Sequence, residues 1–286
     1  MTAPFVVGYT ATAAGADAVA LAARLARATG ADLDLVMVLP DGSALPDASY
    51  EEHVRAQARD WLREAAAAIP ADVRHSGHVR VAESFAEGLV GAAREFGASH
   101  IVVGAANGGL RGRHRLGSVA SELLHSSDVP VVLAPAGSAE STEPLSRVTA
   151  AVGTRPGADA LVDEAVALAA TAGVPLRLVS LVTVDLPAGL DTSAIRVVGS
   201  SHADDVLGAA RAELPTGIPS DVVVAEGDSI EDAVAHLDWL PGEVVLVGSS
   251  RLARPRFLFL GSTAAKMLHE LPVPMIVVPR TRREED

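Results

Sequence analysis

Short apolar segments alternate along the chain with longer segments of helical periodicity. In the first half, the apolar segments predict strands at 5–9, 33–39, 73–81, 100–103 and 130–134. The periodic segments between them predict helices at 17–28, 50–68, 85–96 and 117–125. Strands that alternate with helices are typical of βαβ units, in which parallel strands are joined by right-handed crossovers.

The second half of the chain repeats the first. The segment GADAVALAARLARATG from Gly15 resembles GADALVDEAVALAATAG from Gly157, and the segment from Ile101 resembles the one from Val245. A repeat of this length indicates a duplicated domain. We predict two tandem Rossmann-like α/β domains, at residues 1–138 and 145–281. Each should be a five-stranded, mainly parallel sheet with helices on both faces. The small, polar residues 136–147 form the predicted linker.

Composition narrows the class of protein. Hydrophobic residues make up 49% of the chain and aromatic residues only 3%, so the core must consist largely of aliphatic side chains. We expect Trp61 and Trp239 to anchor that core on helices. The net charge of −13 argues against a nucleic-acid partner, which needs a basic face. Cysteine is absent and no 18-residue apolar run occurs, so we expect a cytoplasmic protein with no membrane span.

One segment in each half has the pattern of an anion-binding loop. Residues 104–118 and 248–262 each follow an apolar strand and end in Gly-Ser at the start of a predicted helix. Each contains three arginines and no acidic residue. Free backbone N–H groups at a helix N-terminus attract anions. The pattern therefore favours a phosphate site, unless the Gly-Ser pairs are only helix caps and turns.

Other chemical motifs are weaker. Thr263 and Lys266 have the spacing of a nucleophile and its lysine, but the accompanying motifs are missing. His75 and His78 are three apart in a predicted strand, where their side chains point to opposite faces. No paired carboxylates suggest acid–base catalysis. We expect neither a catalytic residue nor a metal site, and we expect the protein not to be an enzyme.

The two loops resemble the nucleotide-binding motif of the universal stress protein family, G-2x-G-9x-G-[S/T]. The resemblance covers both halves and implies the adenine nucleotide alpha hydrolase-like fold. It also implies that ATP, with Mg²⁺ where the metal accompanies it, lies against the loop and the ends of the first two strands. The residues it implies as contacts are Thr10, Val38, Gly104, Asn107, Gly108, Gly117, Ser118 and Val119 in the first half, and Leu181, Gly248, Arg251, Gly261, Ser262 and Thr263 in the second.

The chain departs from the family pattern at the middle glycine of both motifs and at the end of the first strand of both halves. Asn107 replaces the middle glycine of the first motif and Arg251 replaces that of the second. The family also places an aspartate at the end of the first strand. Thr10 stands there in the first half, and the second half has no aspartate in that turn. Loss of a buried carboxylate contact weakens binding by about 1–3 kcal/mol.

The resemblance implies a nucleotide-binding sensor or regulator of a stress response with little or no turnover, acting on a protein partner that the sequence does not identify. The alternative is a scaffold of the same fold that binds no nucleotide. A hydrolase or transferase of an adenylated substrate is a third hypothesis, without a nucleophile or base to support it.

The resemblance also implies how the chain assembles. Strands that close each repeat often pair at dimer interfaces in this family, so we expect an intrachain pseudo-dimer, with or without a further homodimer. The first loop is richer in glycine, and the second contains Pro255, which has no N–H to donate. If one half binds ATP, the sequence favours the first.

Overall fold

The structure is a computed structural model that describes residues 2–41, 48–105, 114–153, 159–183, 193–212, 214–215, 217–250 and 258–280. The chain divides into two compact units, Met1–Thr142 and Glu143–Asp286. Each unit is an α/β fold, as the alternation of elements predicts.

The described part of the first unit contains five strands and four α-helices. The strands are β1 (Phe5–Gly8), β2 (Leu33–Pro40), β3 (His75–Ala82), β4 (His100–Gly104) and β5 (Val131–Ala134). The helices are α1 (Ala13–Thr29), α2 (Ala48–Ala67), α3 (Phe85–Phe96) and α4 (Ser118–Ser126). The strands lie in the order β3-β2-β1-β4-β5, and all neighbours are parallel.

The described part of the second unit repeats this arrangement. Its strands are β6 (Arg147–Ala151), β7 (Leu176–Thr183), β8 (Ser220–Gly227), β9 (Glu243–Gly248) and β10 (Met275–Val278). Its helices are α5 (Asp159–Ala172), α6 (Ser193–Ala212), α7 (Ile230–Ala235) and α8 (Ser262–Glu270). Neighbours are parallel in the order β8-β7-β6-β9-β10. The predicted five-stranded parallel sheet is therefore confirmed in both halves.

Helices cover both faces of the first sheet, as two adjacent residues of β3 demonstrate. A Cβ on Gly77 would lie 3.4 Å from Leu62 of α2. The next residue, His78, has its ring centroid 4.5 Å from that of Phe96 in α3. Consecutive strand residues point to opposite faces, so α2 and α3 lie on opposite sides of the sheet.

Local signals explain where the helices of the first unit begin and end. The Thr12 side chain caps α1 and the Ser84 side chain caps α3, each by accepting a hydrogen bond from a first-turn N–H. Gly30 and Gly97 end the same helices with φ of 71° and 63°. Glycine adopts this left-handed conformation without strain.

The expectation that both tryptophans anchor the core on helices is wrong. Trp61 lies on α2 but is 39% exposed, and Trp239 lies in the loop after α7, not on a helix. The predicted linker is also partly folded: Ser138–Glu140 form a 3₁₀ turn, and Arg147 already belongs to β6. Small polar residues are typical of loops, but here two backbone N–H groups of the segment donate hydrogen bonds to a side chain of the first unit.

Candidate functional site

The carboxyl ends of the strands place the two predicted loops at corresponding positions in the two units. Gly104 ends β4 and Gly248 ends β9. The next residue in each case continues the same ladder: the N–H of Ala105 donates to Ala134 O, and that of Ser249 donates to Val278 O, both at 2.8 Å. Ligands of doubly wound sheets bind at this edge.

Each loop leads into a helix whose N-terminus has no side-chain cap. Gly117 precedes α4 and Gly261 precedes α8, both with extended backbone and neither with a side-chain cap hydrogen bond. Ser118, Ser262 and Thr263 are exposed, whereas Val119 is half-buried. The capping glycine therefore offers no side-chain acceptor to the first N–H groups of either helix, which lie at the positive end of the helix dipole.

The end of β1 holds a hydroxyl where the family pattern has a carboxylate. Thr10 is half-buried, and its Oγ1 lies 2.9 Å from Oγ1 of Thr12. Thr12 in turn accepts the Gly15 N–H of α1 at 3.4 Å. The Thr10 side chain is therefore engaged with the cap of α1, and it has no negative charge to offer a ribose.

The two predicted adenine contacts both pack against the helix that covers their strand. Val38 is 8% exposed, and a Cβ on Gly88 of α3 would lie 2.6 Å from it. Leu181 packs on a cluster that includes Ala233 and Leu237. Their packing within the fold is therefore explained without a ligand, and a role beside adenine stays a prediction.

The fold itself requires glycine at the end of β4. A Cβ on Gly104 would overlap the carbonyl oxygen of Ala14, in the first turn of α1. Among the described residues, a Cβ on Gly248 would lie 3.9 Å from Leu161, an ordinary van der Waals contact. Pro156, which corresponds to Ala14 in the second repeat, lies outside the described residues.

Two hydrogen bonds close the base of the second loop, and sequence reasoning missed them. The Phe259 N–H donates to Ser249 Oγ and the Ser250 N–H donates to Phe259 O, both at 2.8 Å. The first unit has Ala105 at the position of Ser249, and a methyl group cannot accept this bond. The sequence did contain a signal for this closure: the second repeat has two serines at 249–250 where the first repeat has two alanines.

Charged groups beside the two helix starts have opposite signs. Lys266, the single lysine of the chain, is exposed one turn into α8. Glu122 is at the corresponding place in α4, where it accepts a hydrogen bond from Ser84 Oγ at 2.6 Å. Because side chains on a helix lean toward its N-terminus, Lys266 adds positive charge near its loop and Glu122 adds negative charge near the other.

Several predicted contacts lie outside the described residues. They are Asn107, Gly108 and Arg251 among the site residues, and Arg111, Arg113, Arg254 and Arg256 among the loop arginines. In the described remainder of the first loop, Arg115 is exposed and His114 is buried. The position of the arginine cluster relative to the helix starts therefore stays a prediction.

Among the described residues, no three His, Asp or Glu side chains are grouped to hold a metal ion. His78 lies 2.8 Å from Asp34 on the opposite, amino-terminal half of the sheet. In the part of the chain that the structure covers, no helix is long and apolar enough to cross a membrane.

Comparisons with known proteins agree with the repeat. The family model described as the universal stress protein family matches residues 1–135 and 144–279. The chain is 31% identical to universal stress proteins of Mycobacterium bovis and Mycobacterium tuberculosis, over 96% of this chain and 99% of each relative.

A solved structure supports the fold over the full length. The crystal structure of a universal stress protein from Archaeoglobus fulgidus aligns with a TM-score of 0.72, covering 98% of this chain and 100% of that one. Its sequence identity is 18%, so this likeness concerns the fold.

Proposed function

The chain belongs to the universal stress protein family, and we propose that it binds adenine nucleotide, ATP in the first place, as a sensor or regulator in the cytoplasm. The observation that carries the proposal is the pair of uncapped helix N-termini at Gly117 and Gly261. Both stand at the carboxyl edge of a parallel sheet. This arrangement suits a phosphate group, which N–H donors and the helix dipole stabilise.

The proposed ligand makes its phosphate contacts with the Gly-Ser turns and the loop arginines. Ser118 and Ser262 can each donate a hydroxyl hydrogen bond to a phosphate oxygen. Mg²⁺, where it accompanies ATP, is held mainly by phosphate oxygens and water. The protein partner that responds to the nucleotide is not defined by this chemistry.

Little or no turnover is the expected outcome of this site. A serine nucleophile needs a neighbouring base to accept its proton. In the described ranges, the hydroxyls of Ser118 and Ser262 have no hydrogen-bond partner. We therefore propose binding and release of the nucleotide rather than its hydrolysis.

The described residues favour the second half for the tighter site. Ser249 with Ser250 holds the base of the second loop closed. Lys266 adds attraction for phosphate, which Glu122 opposes in the first half. The glycine-rich first loop favours the opposite order on flexibility alone, so calorimetry of matched variants must decide between the halves.

The first experiment is to denature the purified protein and identify any small molecule that is released. The second is calorimetry with MgATP on the unmodified protein and on Gly248→Ala. A methyl group at the point of close approach costs about 1–3 kcal/mol, so we expect about 5- to 150-fold weaker binding at the second site. Gly208→Ala is the matched control, because a Cβ there meets nothing within 4 Å.

The scaffold hypothesis is favoured by one specific observation. Gly104, a signature residue of the first motif, is explained by its contact with Ala14 rather than by a ligand. If neither released nucleotide nor MgATP binding is detected, the Gly-Ser turns are helix caps. The chain would then act through a protein surface, and the proposed nucleotide function would be wrong.

A further inference from the structure

Asp17 is a buried acidic residue of α1 that holds the segment following the first domain. The residue is 5% exposed. Its carboxylate accepts hydrogen bonds from the N–H groups of Gly137, at 3.1 Å, and Ala139, at 2.8 Å. Burial of a carboxylate is costly unless it is hydrogen-bonded. These two backbone donors therefore account for an acid at this position.

Arg24 makes a second attachment two turns further along the same helix. Its Nη1 donates to Ser141 Oγ at 2.8 Å. Burial lowers the pKa of Arg24, and the charge of Asp17 opposes that shift. Residues seven apart lie on one face of a helix, so Asp17 and Arg24 together present a charged face to residues 137–141.

The segment of residues 137–141, called here the docked segment, is folded onto this face. Gly137 has φ of 87°, and Ser138 is buried. The Ser138 hydroxyl donates to Pro135 O at 2.7 Å, which fixes the segment to the end of β5. The docked segment is thus an ordered part of the first unit, although it lies in the stretch that joins the two domains.

The other end of α1 reaches the candidate site. Its first turn is capped by Thr12, beside Thr10 at the end of β1. The carbonyl of Ala14 fills the space next to Gly104, where the first loop begins. One helix of 17 residues therefore contacts the loop with its first turn and the docked segment with the turns that follow.

We propose that α1 couples occupation of the first site to release of the docked segment. The inference rests on the proposed nucleotide function. Because the Ala14 carbonyl packs against Gly104, a ligand that shifts the strand end at Gly104 also shifts the first turn of α1, and a packed helix moves as a unit rather than bending locally. Hydrogen bonds to Asp17 lengthen and weaken as the helix shifts, because their strength falls steeply with distance and angle.

Amide hydrogen exchange of the full chain, with and without MgATP, tests the coupling. The Gly248→Ala variant is used so that the first site dominates binding. We expect MgATP to accelerate exchange at Gly137 and Ala139 by about 5- to 150-fold, the usual range of coupling between sites. Calorimetry on the same samples reports whether MgATP is bound.

The second test uses the reciprocity of coupling: if MgATP weakens attachment of the docked segment, weaker attachment must also change MgATP binding. Asp17→Asn retains one acceptor oxygen for two N–H donors, so the docked segment should exchange faster without ligand. By linkage, the same substitution should tighten MgATP binding at the first site. The matched control is Asp159→Asn: Asp159 holds the corresponding place in the repeated GADA sequence and is exposed. Ser141→Ala tests the Arg24 attachment if the Asp17 variant does not fold.

The outcomes separate the two proposals. Binding of MgATP with unchanged exchange at Gly137 and Ala139 overturns the coupling and leaves nucleotide binding intact. Loss of all binding in Gly248→Ala also overturns the coupling, because the first site is then empty. Absence of binding to the unmodified chain overturns both proposals.

Discussion

The two repeats carry different charges at the same place, the second residue of their second strand. In the first repeat this residue is Asp34, which lies 2.8 Å from His78 Nε2 and accepts the Ser76 hydroxyl at 2.6 Å. In the second repeat it is Arg177, which donates to the fully buried Glu243 at 2.7 Å. The fold accepts either sign here, provided that a partner of the other sign, or a hydrogen-bonding group, faces it.

The two charged clusters differ more in how deeply their side chains are buried than in the signs of their charges. His78 and Asp34 are 29% and 15% exposed, whereas Arg177 and Glu243 are 3% and 0% exposed. Arg147, whose side chain is 16% exposed, adds a second cation at 2.6 Å from Glu243. Charge pairs that are removed from water become strongly dependent on each other, because a lone buried ion has no compensation.

The helix that covers each cluster explains the difference in burial. The first repeat covers Asp34 with α3, whose Phe96 lies against His78. In the second repeat α7 has only six residues, and the loop after it supplies Trp239, which stacks on the Arg177 guanidinium at 4.9 Å. The carbonyl of Asp238 in the same loop accepts bonds from both arginines. The charged cluster therefore fixes the loop that replaces the missing turns of helix.

The largest expected effect is that of Glu243→Ala. The substitution leaves Arg147 and Arg177 without their counter-charge, and we expect the second unit to lose about 3–5 kcal/mol of unfolding free energy. Urea denaturation followed by Trp239 fluorescence measures it. A Trp61→Phe background is used because these two are the only tryptophans of the chain.

Asp34→Ala is the matched variant in the first repeat. It removes two partly exposed hydrogen bonds, and we expect a loss of about 1 kcal/mol. Trp61 reports this unit in a Trp239→Phe background. Equal losses in the two variants would show that burial does not separate the clusters as argued above.

The glycine at the end of β4 gives the next largest effect. Gly104→Ala forces a methyl group against the Ala14 carbonyl, and overpacking of this kind costs about 1–3 kcal/mol. Gly208→Ala is the control, because a Cβ there meets no described residue within 4 Å. Thermal denaturation of these variants and of Gly248→Ala without nucleotide measures the cost at each position.

The glycine comparison bears directly on function. A Gly248→Ala protein that is stable but binds MgATP poorly would identify Gly248 as a ligand-approach glycine. A large loss of stability in that variant would instead mean that the fold requires this glycine too, and Gly248 would cease to support a second site.

The fold was predictable because one signal was repeated twice. Alternation of apolar strands with periodic helices, found in both halves, leaves few topologies once the crossovers are right-handed. Polar clusters were not predictable in the same way. Arg177 lies within an otherwise apolar strand and Asp17 within an apolar helix face, but their partners Glu243 and Gly137 are distant in sequence.

The candidate site was predictable only as a motif. Gly104 occupies a motif position, yet a backbone contact with Ala14 requires glycine there whether or not a ligand binds. That contact depends on where α1 begins relative to β4, which pattern and spacing do not specify. The same holds for the loop closure by Ser249, since its partner Phe259 lies ten residues away across the loop.

The smallest expected effect concerns an exposed ion pair that only the longer helix of the first repeat can form. Glu95, near the end of α3, lies 2.7 Å from Arg80, and α7 ends before the corresponding position. The hydrogen bond from Arg80 lowers the pKa of Glu95. A lowered carboxyl pKa contributes stability above its ordinary range, and that contribution is lost as the pH falls through the lowered value.

Glu95→Gln should therefore be slightly less stable than the parent at neutral pH, and the two should converge at an acid pH below the lowered pKa of Glu95. Because the pair is exposed, added salt should shrink the difference as well. Urea denaturation followed by Trp61 fluorescence at both pH values measures the gap. A gap that persists in acid would mean that Glu95 acts through packing of its side chain beside Phe96 rather than through charge. The long α3 would then differ from α7 in contact area alone.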